Sequence, residues 1–165
     1  LRWPKTYPVT AQDLDAHLSI PDNDSDGTLH LWYGTISGKD YFQYVDADDN
    51  VTIDKDHKVN TGAPPGDETI TITKVRSGTY SYSVHNSTDK DNDTGGDNYK
   101  TNLLRSNTKV KVFYNREGTL IRKRFYVPTD NGTLWRVFTF DSSRSGSGFT
   151  RVDNMSYEET AGNIY

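Results

Sequence analysis

Clusters of aspartate are the residues of this chain whose type and spacing point most directly to chemistry. Of the 23 acidic residues, 19 are Asp and only four are Glu. Asp favours turns and brings its carboxylate close to the backbone carbonyls of the same loop, an arrangement that suits a hard cation such as Ca²⁺. Clustered negative charges repel one another, so each cluster needs either a cation or full solvation.

Two loops have the alternating spacing of calcium ligands. Residues 22–27 read D-x-D-x-D-G, the first half of a calcium loop, in which the glycine permits the sharp turn. Tyr33 stands where an EF-hand has its last Glu, and the flanks predict strands, so an EF-hand is excluded. Residues 89–97 form a second such run. A solvated turn and a mobile surface loop are the alternatives for the two runs. The predicted ligands are Asp22, Asp24, Asp26, Asp89, Asp91 and Asp93.

A third set of acidic residues is predicted to meet at the ends of neighbouring strands. Asp13 and Asp15 are two residues apart, so on a strand their carboxylates share one face and repel unless a positive charge lies between them. The segment 46–49 and Glu68 could complete a shell of the six to eight oxygens that Ca²⁺ takes. The predicted ligands of this site are Asp13, Asp15, Asp46, Asp48 and Glu68.

Other chemistry finds less support in the sequence. The chain has four His and no Cys, and a zinc site built from His17 and His30 requires a convergence that their spacing does not show. Surface or half-buried histidines are the simpler interpretation. No nucleophile-elbow motif is present. Glycoside hydrolysis also uses paired carboxylates, and nothing in the spacing of the Asp pairs distinguishes that use from cation binding. We therefore predict that the chain is not an enzyme and assign no catalytic residue.

Alternation of polar and apolar residues determines the predicted fold. It predicts some eight to ten antiparallel strands with one wet face each, and thus an all-β sandwich of jelly-roll or immunoglobulin-like type. Hairpin loops are expected at 115–118 and 130–132, and long connections at 46–67 and 85–107. Helix is expected only as a short turn within 153–163. The predicted strands are 13–20, 29–33, 41–45, 68–73, 79–84, 109–114, 119–127 and 134–140.

Length, charge and composition narrow the class of protein. We interpret residues 1–165 as a single domain, a module excised from a larger exported protein. The net charge is −4 and the one basic run, 122–124, is interpreted as the outer face of a strand, which argues against a nucleic-acid partner. No apolar run has the length of a membrane span, so membrane insertion is not expected.

The order of motifs along the chain resembles the YfaP-like family of bacterial secreted and surface domains, over roughly residues 3–152. The resemblance implies a β-sandwich module of an exported protein and a shared cation site at the third set of acidic residues. Asp67 departs from the Pro that the family has before its Glu. The motifs are Trp3, Asp13-Leu14-Asp15-Ala16-His17-Leu18, Val45-Asp46-Ala47-Asp48, Gly66-Asp67-Glu68-Thr69-Ile70, Gly78-Thr79-Tyr80-Ser81-Tyr82 and Gly132-Thr133-Leu134-Trp135.

The sequence as a whole predicts a non-catalytic, calcium-binding extracellular module of an adhesin or cell-surface protein, whose partners are neighbouring domains of the same chain. The alternative is a carbohydrate-binding module, with or without calcium, that binds a surface glycan. Trp32 and Tyr33 are then the residues on which a sugar ring would stack. A hydrolase that uses its Asp pairs is the third hypothesis.

Overall fold

A computed structural model describes residues 1–4, 13–21, 27–34, 41–43, 50–55, 57, 65–86 and 99–165. In these ranges the chain is all-β, which confirms the predicted fold class. The twelve strands are β1 Arg2–Trp3, β2 Leu14–Pro21, β3 Thr28–Leu31, β4 Tyr41–Gln43, β5 Asn50–Lys55, β6 Gly66–Asp67, β7 Thr69–Ile72, β8 Thr79–Asn86, β9 Lys109–Arg116, β10 Thr119–Tyr126, β11 Leu134–Asp141 and β12 Phe149–Ser156. They are accompanied by one α-helix, α1 Tyr99–Arg105, and a 3-10 turn, Ala161–Asn163.

The strands form three antiparallel sheets. The first has the order β10-β9-β1-β6, the second β12-β11-β8-β2-β3, and the third β4-β5-β7. Strand β2 therefore lies inside the second sheet, between β8 and β3. Antiparallel sheets that pack face to face bury the alternate side chains of their inner faces, and this gives the β-sandwich that the alternation predicts.

Aromatic side chains join the sheets in one core. Phe125 of β10 stacks on Phe138 of β11 with ring centroids 5.0 Å apart, and Phe138 in turn stacks on Tyr82 of β8 at 5.4 Å. Val51 of the third sheet and Trp3 of the first are fully buried in the same cluster. Each large ring buries much apolar area, which allows a chain with 32% hydrophobic residues to build a continuous core.

The β9–β10 hairpin confirms the loop predicted at 115–118. Arg116 pairs with Thr119, so Glu117 and Gly118 alone make the turn. Their φ angles are 51° and 78°, and two positive φ values in a two-residue loop define a type I′ turn, whose twist matches that of the strands. Strand β10 lies at the edge of its sheet.

The loop predicted at 130–132 is not a hairpin. Strands β10 and β11 on either side of it belong to different sheets, so this connection crosses from one layer of the sandwich to the other. Asn-Gly indicates a turn but not which strands it joins. Gly132 is buried close to the backbone of Ser156 in β12, which is the place where this crossing needs a residue without a side chain.

Two further expectations about elements are wrong: the connection at 46–67 contains β5 and β6, and the one at 85–107 contains α1. These segments are rich in polar residues and lack clear alternation, so the sequence pattern alone indicates loops. Contacts with the rest of the fold determine their strand or helix conformation. The short helical turn expected within 153–163 is present as the 3-10 turn Ala161–Asn163, although β12 extends to Ser156 and occupies the start of that range.

The expectation that each strand has one solvent-exposed face is wrong at the centre of the second sheet. All eight residues of β2 are buried, and so are residues 82–86 of β8. The apolar side of β2 enters the core, while its polar side is covered as well. Polar side chains buried in this way need partners inside the protein, because burying a polar group without one is costly.

We predict that Gly66→Ala destabilises the sandwich, because Gly66 pairs with Trp3 across β1 and β6 and a Cβ there would overlap the buried indole ring. Overpacking of this kind typically costs about 1–3 kcal/mol of the free energy of unfolding, measurable by urea denaturation. Gly162→Ala is the matched control, since a Cβ there meets open space. Equal stability of the two variants would show that the Trp3 contact is not tight.

Candidate metal centre

The buried polar side of β2 carries Asp15, His17 and Ser19, because alternate residues of a strand share one face. On the neighbouring strand β8, His85 lies directly opposite Asp15. Cross-strand partners have Cβ atoms about 4.5–5.5 Å apart, so the ladder itself sets these two side chains side by side. Asp15 is 3% exposed, and His85 is completely buried.

Glu68 reaches this face from the other two sheets. It lies between β6 of the first sheet and β7 of the third, and its backbone exchanges hydrogen bonds with Leu1, with Glu68 N to Leu1 O at 3.1 Å and Leu1 N to Glu68 O at 3.0 Å. Its Oε2 accepts the backbone N–H of Ala16 at 2.6 Å. Strand β3 ends opposite Leu18, so the Glu68 carboxylate occupies the position beside β2 that β3 leaves open.

Three carboxylates meet at this point. Asp13, Asp15 and Glu68 each offer an oxygen, and the three oxygens lie within 4.8 Å of one another. Glu68 is 4% exposed and Asp13 is half-buried. Of the five ligands predicted for this site, these three are described by the structure, and it brings all three together.

Repulsion among the three carboxylates destabilises the folded state unless a positive charge lies between them. At 4.8 Å and an effective dielectric constant near 20, each pair of carboxylates repels by about 3–4 kcal/mol. Hydrogen bonds such as the one from Ala16 offset part of this cost by stabilising the charged form. A bound cation would remove the repulsion, and carboxylate oxygens are the ligands that hard cations prefer.

A second group of donors adjoins the first and shares Asp15. Asp15, His17 and His85 offer one ligand atom each, and these three atoms also lie within 4.8 Å of one another. His17 Nδ1 lies 2.8 Å from His30 Nε2, and His85 Nε2 donates to the carbonyl oxygen of Glu158 at 2.9 Å. His17 is 1% exposed, so both imidazoles of this group are withdrawn from water.

Aromatic rings cover His17. His30 and Trp32 stack with it at centroid distances of 5.0 and 5.6 Å, and Tyr165 lies 5.4 Å from His30. Burial lowers the pKa of His17 well below 6.5, and the neighbouring His30 and His85 lower it further. Burial also lowers the pKa of His30, to about 4. Both rings are therefore neutral at physiological pH, which is the form that binds metal.

All of the other predicted ligands lie outside the residues that the structure describes. They are Asp22, Asp24, Asp26, Asp46, Asp48, Asp89, Asp91 and Asp93. Of the predicted metal ligands, the described part of the chain contains only Asp13, Asp15 and Glu68, and it brings these three into one cluster.

The residues proposed for sugar stacking have different environments. Trp32 is half-buried and packs against His17 and His30, whereas Tyr33 is 46% exposed and meets the Trp32 ring edge-on at 4.8 Å. Tyr80 and Tyr82 of β8 are buried in the core and are not available to a sugar. Sugar binding by Trp32 and Tyr33 stays a prediction, with Tyr33 as the more accessible ring.

The interpretation of the histidines as surface or half-buried residues is wrong for His17 and His85, which are buried beside Asp15. His17 follows Asp13 and Asp15 at the same two-residue interval, so strand periodicity alone places all three on one face. That signal could have identified His17. His85 joins them through the register of β2 and β8, which is a property of the folded sheet and has no local signature in the sequence.

Comparisons with protein-family models, curated proteins and solved structures find no match to this chain. Within the described ranges, no helix has the length and apolar character needed to cross a membrane.

We predict that Glu68→Ala is less stable than Glu68→Gln by about 1–3 kcal/mol, because alanine leaves the buried N–H of Ala16 without its acceptor whereas a glutamine amide oxygen can replace it. Urea denaturation in chelator measures both free energies of unfolding. Glu68→Gln thus serves as the control that removes the charge alone. Equal stabilities would mean that water or another group replaces the carboxylate.

We predict that His17 makes the metal-free wild-type protein lose more stability than His17→Gln as the pH falls from 7 to 5. The histidines of the unfolded chain bind protons near pH 6.5, while His17 stays neutral in the folded state, so acid favours unfolding. The slope from one such residue approaches about 1.4 kcal/mol per pH unit. Denaturation at pH 7, 6 and 5 in chelator should show a smaller loss for His17→Gln, and an unchanged slope would contradict the prediction.

Proposed function

We propose that this chain is a non-catalytic, calcium-binding β-sandwich module of an extracellular adhesin or cell-surface protein. The observation that carries the proposal is the meeting of Asp13, Asp15 and Glu68 within 4.8 Å in a mostly buried position. The extracellular setting is supported by the resemblance to the YfaP-like family and by the supply of Asp in the loops, and both remain sequence-based arguments.

The donor set suits calcium in number and kind. Three carboxylates supply up to six oxygens, and Ca²⁺ takes six to eight at about 2.3–2.6 Å. Since the Glu68 carboxylate comes from the junction of two sheets and Asp13 and Asp15 from the start of β2, an ion held by all three cross-links segments from every sheet. Asp46 and Asp48 are the sequence-predicted candidates for the remaining positions.

A structural role follows from where such an ion would act. An ion that binds the folded state and not the unfolded chain raises the free energy of unfolding by mass action. Extracellular calcium modules have dissociation constants of about 0.1–1 mM, so they are occupied outside the cell and empty at cytosolic calcium levels. We infer that calcium makes the module rigid once it has been exported, so that it transmits position or force between neighbouring domains.

We predict that calcium raises the melting temperature of the chelator-treated protein. Saturation at about 100 times the dissociation constant adds about 2.7 kcal/mol, which for a domain of this size corresponds to about 5–10 °C. Differential scanning calorimetry at increasing CaCl₂ concentration measures the shift. Asp13→Asn should abolish most of it, because the variant keeps the side-chain size and loses one charge.

Asp130→Asn is the matched control, since Asp130 is an exposed carboxylate in the connection between β10 and β11. This variant should retain the full calcium-dependent shift. A wild-type melting temperature that does not respond to millimolar Ca²⁺, or equal shifts in the Asp13→Asn and Asp130→Asn variants, would refute the proposed function.

A further inference from the structure

We propose that Asp15, His17 and His85 form a second metal site, selective for a divalent transition-metal ion of the Zn²⁺ type, next to the carboxylate cluster. The inference goes beyond the proposed calcium function, because it concerns different donors and a different class of ion. It rests on the convergence of one carboxylate and two imidazoles within 4.8 Å, all three almost fully buried.

His85 has the hydrogen bonding of a metal ligand. Its Nε2–H donates to the carbonyl oxygen of Glu158, 2.9 Å away, and this fixes the neutral tautomer with the lone pair on Nδ1. Metal-bound histidines commonly donate their other ring N–H to a backbone carbonyl in this way, which sets the orientation of the ring and raises its basicity. The Glu158 carbonyl also accepts the hydroxyl of Thr133, so its position is itself held.

His17 is arranged in a similar way. When its Nδ1–H donates to His30 Nε2, the lone pair remains on Nε2. This buried nitrogen has no hydrogen-bond partner among the described residues. A buried polar atom of this kind is unusual in a native structure and calls for a bound water or ion. The stacked rings of His30 and Trp32 hold the imidazole in place.

The donor types distinguish the two sites. Imidazole nitrogen suits Zn²⁺ and other first-row transition ions, while Ca²⁺ prefers oxygen alone. Two histidines and one carboxylate are a common three-residue zinc set, with a water or another ligand in the fourth position. Donor atoms around one zinc ion lie roughly 3–3.5 Å apart, as bonds of about 2.0–2.2 Å require, so small side-chain movements would close the site.

Asp15 belongs to both groups of donors and links them. Asp15 offers an oxygen to each group, and because a carboxylate has two oxygens it can bind an ion in each site. An ion in one site changes the charge that the other site sees, so binding at the two sites is coupled. A purely structural network of hydrogen-bonded histidines is the competing explanation of this cluster, and it predicts no zinc binding.

The test is calorimetric titration of the chelator-treated, folded chain with ZnCl₂, with CoCl₂ as a spectroscopic probe. We expect one Zn²⁺ bound per chain at this cluster and visible absorption of Co²⁺ in a nitrogen- and oxygen-ligated site. His17→Gln and His85→Gln should each weaken zinc binding on the order of a hundredfold or more. His30→Gln, a positioning variant, should weaken it about tenfold, as the loss of an outer partner typically does.

Two controls separate this proposal from the calcium function. His57→Gln removes a histidine that packs against Trp3 outside the cluster, and it should bind zinc like the wild type. Asp13→Asn should lose the calcium-dependent stabilisation and keep its zinc affinity within a few-fold. Zinc binding without a calcium response would therefore refute only the proposed calcium function. A calcium response without zinc binding would refute only the proposed zinc site.

A measurement on the wild-type protein covers the case in which a buried histidine variant fails to fold. Long-range ¹H–¹⁵N spectra of the imidazole rings report which nitrogen gains a metal. Saturating Zn²⁺ should shift the signals of His85 Nδ1 and His17 Nε2 and leave those of His57 in place. Absence of zinc binding by the wild type, unshifted imidazole signals, or wild-type affinity in both His17→Gln and His85→Gln would overturn the proposal.

Discussion

The carboxylate of Glu68 accepts the backbone N–H of Ala16 at a point where all three sheets meet. The residue lies between β6 and β7, and its backbone is hydrogen-bonded to Leu1. Its side chain binds the part of β2 that extends beyond the end of β3. A buried charge can occupy such a position only when its oxygens are satisfied. The arrangement of the first and third sheets around the second therefore depends on what surrounds this one side chain.

The same constraint explains why β2 is buried on both faces. Its apolar side chains enter the core, as alternation requires, while its polar side carries Asp15 and His17, which meet Glu68 and His85. Covering a polar face costs more than leaving it in water, so its burial marks a place where stability was not the only requirement. The covering layer of Trp32, His30 and Tyr165 keeps water from competing for these donors.

Local patterns in the sequence predict the strands with strong alternation and the hairpin loop at 115–118, since both depend on neighbouring residues. They also place Asp13 and Asp15 on one face. The sequence places Glu68 in the same cluster because it stands at the start of a predicted strand and because of the resemblance, but the hydrogen bond that brings it there depends on β3 ending early. The partnership of Asp15 with His85 depends on strand register, which no local pattern contains. Local sequence patterns therefore cannot predict which residues of distant strands lie opposite each other.

Strand β10 lies at the edge of its sheet and carries the three consecutive cations of residues 122–124. An edge strand offers backbone groups on which another chain can extend the sheet, and charged side chains are a common defence against this. A second copy that paired antiparallel about Lys123 would bring like charges face to face. Two copies of this chain would for that reason resist joining their sheets edge to edge, even at high concentration.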